Sequence, residues 1–404
     1  MSGPWAAGGL ERLRATMEGH VARSDLPGLA YLVERDGVRE VVTIGTAAFG
    51  DLRPLPQDAL FRLASLAKPI IAAAALRLVD RGSIRLDDPV ARWLPELAAP
   101  RVLRRVEGEL GDTVPAERPI TVEHLLTSRF GFGIVLAPPR THPIQRVEAD
   151  LGLRTLGPPW PPSHLTSDEW MARLATLPLL HQPGAGWAYN TSITVLGVLL
   201  ERVTGSPLDG ALRCLLLDDL GMCDTRSVVD GDDVARFTTA YVPMPGGGAA
   251  VLDRGADSWW SDPRAFPNAA GWLVSTLGDV GAFAAMIANG GVHDGRRILS
   301  LDVVRAMTTD HLDDGTRAAA RLFLDDDGGW GYGLRVPAAG RDPASEESIP
   351  GGIGWDGGTG TSWRWRPRER LTGVLLTQLA MTSPVPPPIF VDFWRGALAA
   401  VSDR

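Results

Sequence analysis

The sequence predicts a mixed α/β (α+β) fold: an antiparallel sheet assembled from both termini, flanked by helices, with a mainly helical lobe inserted in the middle. Three observations predict it. β-rich runs flank Asp36-Gly37 near the start of the chain. Three more strand-like runs lie near its end, and between 86 and 264 apolar residues recur at helical spacing with long Pro-rich connections. Strands at both ends with helices between them imply one sheet built from the two ends. The expected division is a discontinuous α/β domain, 1–85 plus 265–404, and an inserted, mainly helical domain, 86–264.

Residues 7–24 read as a surface helix, and GLAYLVERDGVREVVTIGTAAFG (28–50) as a hairpin turning at Asp36-Gly37. LAKPIIAAAALRLVDRG (66–82) is apolar on nearly every side and ends at Gly82, the pattern of a buried helix. Pro69 fits in its first turn, where a missing N–H is harmless. In the inserted segment ITVEHLLTS, SDEWMARLATLPLL and SITVLGVLLERVTG carry helical spacing. Residues 271–291 turn into a long helix. GWGYGLRV (329–336), GTSWRWRP (360–367) and LTGVLLTQLA (371–380) are strand candidates, and FVDFWRGALAAV (390–401) is a closing helix. Asp325–Asp327 reads as a solvated turn.

With 404 residues, the chain has room for two or three domains or one large two-lobed unit. A hydrophobic share of 45% and a charged share of 22% mark a globular protein with ample core. The net charge of −8, with both signs interspersed, carries no nucleic-acid footprint. The N-terminal stretch lacks a basic start followed by an apolar signal core, and no apolar run is long enough to cross a bilayer. Cytoplasmic residence is therefore the expected address. Cys214 and Cys223 are the only cysteines, too few for a disulfide framework or a Cys-rich metal site.

One residue breaks the pattern of charge. Of forty Lys plus Arg, 39 are arginine, and Lys68 is the single lysine. Arginine stays protonated at any accessible pH, whereas lysine loses its proton when it is buried. Lys68 stands three residues after Ser65, one turn on along the same helix face. Ser65-Leu66-Ala67-Lys68 is thus an S-x-x-K element, in which a neutral amine can take the proton of a weakly nucleophilic hydroxyl. Alone, four residues are a weak signal, and arginine bias in the composition could leave one lysine by chance.

Two further stretches strengthen it. HQPGAGWAYNTS (181–192) places Tyr189, one of four tyrosines, after a Pro-Gly turn; a phenol beside a lysine can serve as second base or proton relay. A core tyrosine at a helix entrance is the plainer reading. GIGWDGGTGTSWRW (352–365) carries glycines at 354, 357, 358 and 360, which let a strand edge approach a ligand and turn bare N–H groups toward an oxyanion. A tight turn between strands is the plainer reading there.

The three elements in this order resemble the serine β-lactamase and penicillin-binding protein superfamily, most closely its class C β-lactamase-like branch with the family VIII carboxylesterases. LDDPVARWLPEL (86–97), ITVEHLLTSRFGFG (120–133), LGMCDT (220–225), GWLVSTLGDVGAFAAMIANGG (271–291) and DGRRILS (294–300) extend the resemblance along nearly the whole chain. It implies a β-lactamase/transpeptidase-like fold and an acyl-enzyme mechanism without metal or cofactor. By the same resemblance Ser65 is the nucleophile, Lys68 its base, and Tyr189 the tyrosine of the Y-x-N element. Trp355-Asp356-Gly357 matches the K-T-G or H-x-G strand, and the N–H groups of Ser65 and Gly358 form the oxyanion hole.

This sequence departs from the pattern twice. Thr191 stands two after Tyr189 where the family has asparagine, with Asn190 beside it. Trp355 stands where β-lactamases and peptidases carry a cation for the substrate carboxylate, and an indole offers apolar surface and one donor. The expected activity is therefore carboxylesterase-like hydrolysis of a small-molecule acyl ester or amide, with acyl transfer to an alcohol as an extension. A β-lactamase or D,D-peptidase is the runner-up, and a non-catalytic penicillin-recognising binder the rival from another class. Trp187, Trp355 and Trp363 are expected to line an apolar acyl pocket. An α/β-hydrolase would need a G-x-S-x-G elbow, a P-loop a Gly-rich run before its lysine, and zinc a His cluster; none is present. His124 reads as structural, and no nucleic-acid or membrane partner is expected.

Overall fold

Asp36 and Gly37 adopt φ of 52° and 78°, the left-handed pair that a two-residue hairpin turn demands. They join β1 (Gly28–Arg35) to β2 (Val38–Gly45) in the computed structural model, which describes residues 4–153, 162–338 and 351–401. Five strands from the C-terminal part complete the sheet: β3 (Gly328–Trp330), β4 (Arg335–Pro337), β5 (Ile353–Gly357), β6 (Thr361–Arg366) and β7 (Leu371–Thr377). The spatial order is β3-β4-β5-β6-β7-β1-β2, and all neighbours are antiparallel. The two ends of the chain meet where β1 pairs with β7, from Leu29 opposite Thr377 to Arg35 opposite Leu371.

Both faces of this sheet are covered, so its central strands are apolar on both sides. On one face Tyr31, Val33 and Leu375 pack with Leu13 and Met17 of α1 (Gly9–Ala22) and with Phe390, Phe393 and Trp394 of the C-terminal helix Pro388–Ala399. On the other face Ala30, Leu32, Trp363 and Val374 meet α2 (Ala67–Asp80) and the helix Leu277–Ala288. Ile70, Ile71 and Leu76 of α2 are fully buried, each stabilising by about 1.5–3 kcal/mol relative to exposure. Pro69 sits in the first turn of α2, as its chemistry allows.

GWGYGLRV, expected as one strand, is a hairpin. The Gly331 N–H donates to the Leu334 carbonyl, and the turn separates β3 from β4. Gly333, at φ 75°, presses on α2, where an added Cβ would lie 3.0 Å from the Lys68 carbonyl oxygen. The segment 86–264 contributes helices, chief among them α3 (Thr191–Thr204), which packs on α2. It also holds two short ribbons, Arg101–Leu103 with Thr113–Pro115 and Ala240–Pro243 with Ala249–Asp253. Strands of three to five residues are too short to show alternation in sequence. Residues 157–161 of the Pro-rich connection lie outside the described residues.

Candidate active site

Ser65 occupies a single 3₁₀ turn, Ala64–Leu66, that leads into α2. The residue before it, Ala64, has φ 45°, a left-handed conformation that costs a non-glycine residue about 1–2 kcal/mol. Neighbouring strands hold the turn in place. Leu63 N–H donates to the Leu273 carbonyl at 2.9 Å. Two threonine hydroxyls of the third motif staple the other side: Thr359 Oγ1 donates to the Arg62 carbonyl at 2.5 Å and Thr361 Oγ1 to the Leu63 carbonyl at 2.9 Å. Gly357 is pressed against the same turn, since a Cβ there would stand 2.0 Å from the Leu63 oxygen. Only glycine lets β5 come this close to the serine.

One turn further on, Lys68 is fully buried. Its Nζ lies 2.8 Å from Ser65 Oγ and donates to the Ala270 carbonyl at 2.6 Å. Burial drives its pKa well below the ordinary lysine value, so the amine is held toward its neutral form.

Tyr189 stands immediately before α3, followed by Asn190 at φ 86°. Its hydroxyl accepts the Trp355 Nε1–H at 2.8 Å and sits beside the Ser65 side chain. Burial raises its pKa above the usual phenol range and outweighs the opposing hydrogen bonds with Ser65 and Trp355. Burial thus favours the neutral phenol. Phe323 stacks on the Tyr189 ring at 4.4 Å between centroids and Trp187 at 5.7 Å, which fixes the ring; Lys68 Nζ lies 4.6 Å from its centre.

Gly358 opens the turn after β5, with open space where a side chain would be, and Met381 N–H fixes its carbonyl at 2.8 Å. Asp356 lies across from Arg364, whose Nη2 donates to Asp356 Oδ2 at 2.8 Å. The indole N–H of Trp355 is engaged by Tyr189, so the residue presents its ring rather than its donor to the space in front of Ser65.

The sequence matches the Beta-lactamase family over residues 13–386. The chain belongs to that family. Among its relatives, Protein Rv1367c of Mycobacterium tuberculosis is 35% identical over 87% of this chain and 86% of its own length. Esterase EstB of Burkholderia gladioli is 33% identical over 91% and 90% of the two chains. Of solved structures, EstCE1, a hydrolase with promiscuous acyltransferase activity, superposes with a TM-score of 0.80 at 24% identity, covering 97% of this chain and 98% of that one. That likeness bears on the fold alone.

In this member of the β-lactamase family, Ser65, Tyr189, Asn190, Trp355, Asp356 and Gly358 all border one cavity of about 900 Å³. Lys68 lies beneath its floor, and Gly357 faces the Leu63 carbonyl instead. The expected tryptophan lining is corrected at two positions. Trp187 packs behind Tyr189, edge-on to Trp330, and Trp363 is buried under Phe283 of the helix Leu277–Ala288. The apolar walls come instead from residues outside the motifs: the stacked pairs Trp170–Phe266 and Trp260–Trp272, with Phe323 and Leu322. Their signal in the sequence was only an abundance of tryptophan, 13 in all.

Among the described residues no histidine borders the cavity. His124 is structural: its Nδ1 accepts the Thr121 N–H in a capping box, and burial holds its pKa down at about 4. Among the described residues no group of His, Cys, Asp or Glu has metal-ligating geometry, and no helix is long and apolar enough to cross a membrane.

Proposed function

We propose that the protein is a serine hydrolase that cleaves neutral carboxylic esters through an acyl-Ser65 intermediate. The observation that carries this reading is the fully buried, uncharged-leaning Lys68 amine 2.8 Å from Ser65 Oγ at the floor of an apolar cavity. As Ser65 Oγ attacks the ester carbonyl carbon, its proton passes to the Lys68 amine, which is the general base. The carbonyl π electrons move onto oxygen, and the N–H groups of Ser65 and Gly358 receive the oxyanion. Collapse breaks the C–O bond to the alcohol, which leaves with a proton given by Tyr189; the Lys68 ammonium then returns a proton to the phenol. Water, or an alcohol in acyl transfer, next attacks the acyl-Ser65 carbonyl through the same groups in reverse.

The cavity supports an ester with a bulky apolar part, since its volume suits a drug-sized ligand and its walls are stacked aromatics. Trp355 carries no charge and Asp356 sits beside it, so the cation that would hold a β-lactam carboxylate has no counterpart at that position. The relatives named esterase, including the lovastatin esterase of Penicillium rubens at 28% identity over 86% of each chain, support the same reading.

Two measurements test it. Fluorophosphonate labelling with peptide mass mapping is expected to modify Ser65; an unreacted protein that still binds ligand would be a scaffold rather than an enzyme. A panel of p-nitrophenyl esters against nitrocefin is expected to favour the esters, and faster turnover of nitrocefin than of every ester would make the protein a β-lactamase.

A further inference from the structure

The turn at residues 268–272 carries the carbonyl to which Lys68 donates and is held by one residue, Asn268, through both its backbone carbonyl and its side chain. The Asn268 carbonyl accepts the N–H groups of Gly271 at 3.0 Å and Trp272 at 2.8 Å. Its side-chain Oδ1 accepts the Ala270 N–H at 3.0 Å and the hydroxyl of Thr194 at 2.7 Å. Thr194 is buried on α3, the helix that Tyr189 introduces. Ala270 is therefore held through its own N–H and through the next peptide's N–H, which fixes the direction of its carbonyl. That carbonyl is the acceptor 2.6 Å from Lys68 Nζ.

A neutral amine has two N–H bonds and one lone pair in tetrahedral array. Directing one N–H at Ala270 removes the freedom of the amine to spin, and the lone pair can then settle on the Ser65 hydroxyl 2.8 Å away. We propose that Asn268, anchored by Thr194, is a positioning residue for acylation: it aims the Ala270 carbonyl that orients the Lys68 amine toward Ser65. This rests on the reading of Lys68 as the base. Asn268 acts at one remove, through the Ala270 peptide, and the chain Thr194–Asn268–Ala270–Lys68–Ser65 links the helix that Tyr189 introduces to the nucleophile.

The test is steady-state ester hydrolysis as a function of pH by wild type, Asn268→Ala and Asn268→Asp. Asn268→Ala is expected to lower kcat by about tenfold to a hundredfold with KM little changed, the scale of a misplaced reacting group. Asn268→Asp keeps an acceptor oxygen and adds a negative charge near the lysine. Its activity is expected to recover toward wild type at high pH, with the acidic limb of kcat/KM moved to higher pH. Wild-type kcat and an unmoved limb in Asn268→Ala would overturn the proposal. So would an Asn268→Asp variant as impaired as Asn268→Ala at every pH. If Asn268→Ala does not fold, Thr194→Val removes one donor to Oδ1 at nearly the same shape and must lower kcat in the same KM-neutral way. Failure of the esterase reading is distinct: wild type would then leave Ser65 unlabelled by the fluorophosphonate or turn over nitrocefin faster than every ester.

Discussion

Replacing Lys68 with arginine places a permanent cation beneath the floor of the cavity and removes the ability to accept a proton. The magnitude follows from the surroundings of Nζ. It is fully buried, with Ser65 Oγ at 2.8 Å and a carbonyl at 2.6 Å, and burial alone accounts for its lowered pKa. Loss of a positioned general base costs about 10²–10⁴-fold in rate, which is about 2.7–5.4 kcal/mol of barrier. The assay is p-nitrophenyl ester hydrolysis from pH 5 to 9 at matched folded protein, judged by circular dichroism. Wild-type kcat/KM is expected to fall on the acidic side as the amine gains its proton, while Lys68→Arg stays low and flat. An arginine variant retaining a third or more of wild-type kcat/KM would refute the lysine's role. The same burial has a stability consequence. The unfolded chain binds a proton at this amine below about pH 10.4, whereas the folded chain binds it only far lower, so stability falls as pH drops through that window. Lys68→Met is thus expected to raise the unfolding midpoint at pH 7, with the gain vanishing above the ordinary lysine range. A gain independent of pH would contradict the buried neutral amine.

Three further outcomes are expected. Trp355→Phe removes the donor to Tyr189 Oη, a hydrogen bond of about 1–1.5 kcal/mol, and kcat is expected to fall about fivefold to tenfold with KM little changed, in stopped-flow ester assays. Thr361→Val removes one of the two hydrogen bonds to the Leu63 carbonyl, which keeps the Leu66 N–H, and is expected to cost about 0.5–1.5 kcal/mol; urea unfolding should register that loss, and slower fluorophosphonate labelling should accompany it. Arg62, three residues before the nucleophile, forms a buried pair with Asp253 that Ser258 also joins, so Asp253→Ala leaves an uncompensated guanidinium and is expected to destabilise by about 3–5 kcal/mol in the same titration.

Much of the site was legible because it is local. Ser65 and Lys68 share a helix face through spacing alone, and Asp36-Gly37 specifies its hairpin through the dihedrals that only such residues adopt readily. The third motif was legible as glycines that permit close approach, and Gly357 is where the approach occurs. What the sequence did not reveal depends on partners far away in the chain. GWGYGLRV interleaves glycines with aromatic and aliphatic residues that suit a strand, yet it folds back between Gly331 and Leu334, with Gly333 at φ 75° against α2. Trp187 and Trp363 are near the motifs in sequence but bury themselves behind Tyr189 and beneath Phe283, while the cavity is walled by aromatics from other segments.

The amino-acid order by itself determined the chemistry available at each position: one titratable amine, one hydroxyl a helical turn before it, a phenol, and a glycine strand without a cation. Tertiary structure alone decided the charge and direction of those groups. Exclusion of water by the folded core holds Lys68 toward its neutral form and Tyr189 toward its protonated form, and Trp355 gives its N–H to the phenol because β5 and the entrance to α3 converge. Desolvation and hydrogen-bond direction are properties of the surroundings, and the surroundings come from residues hundreds of positions apart.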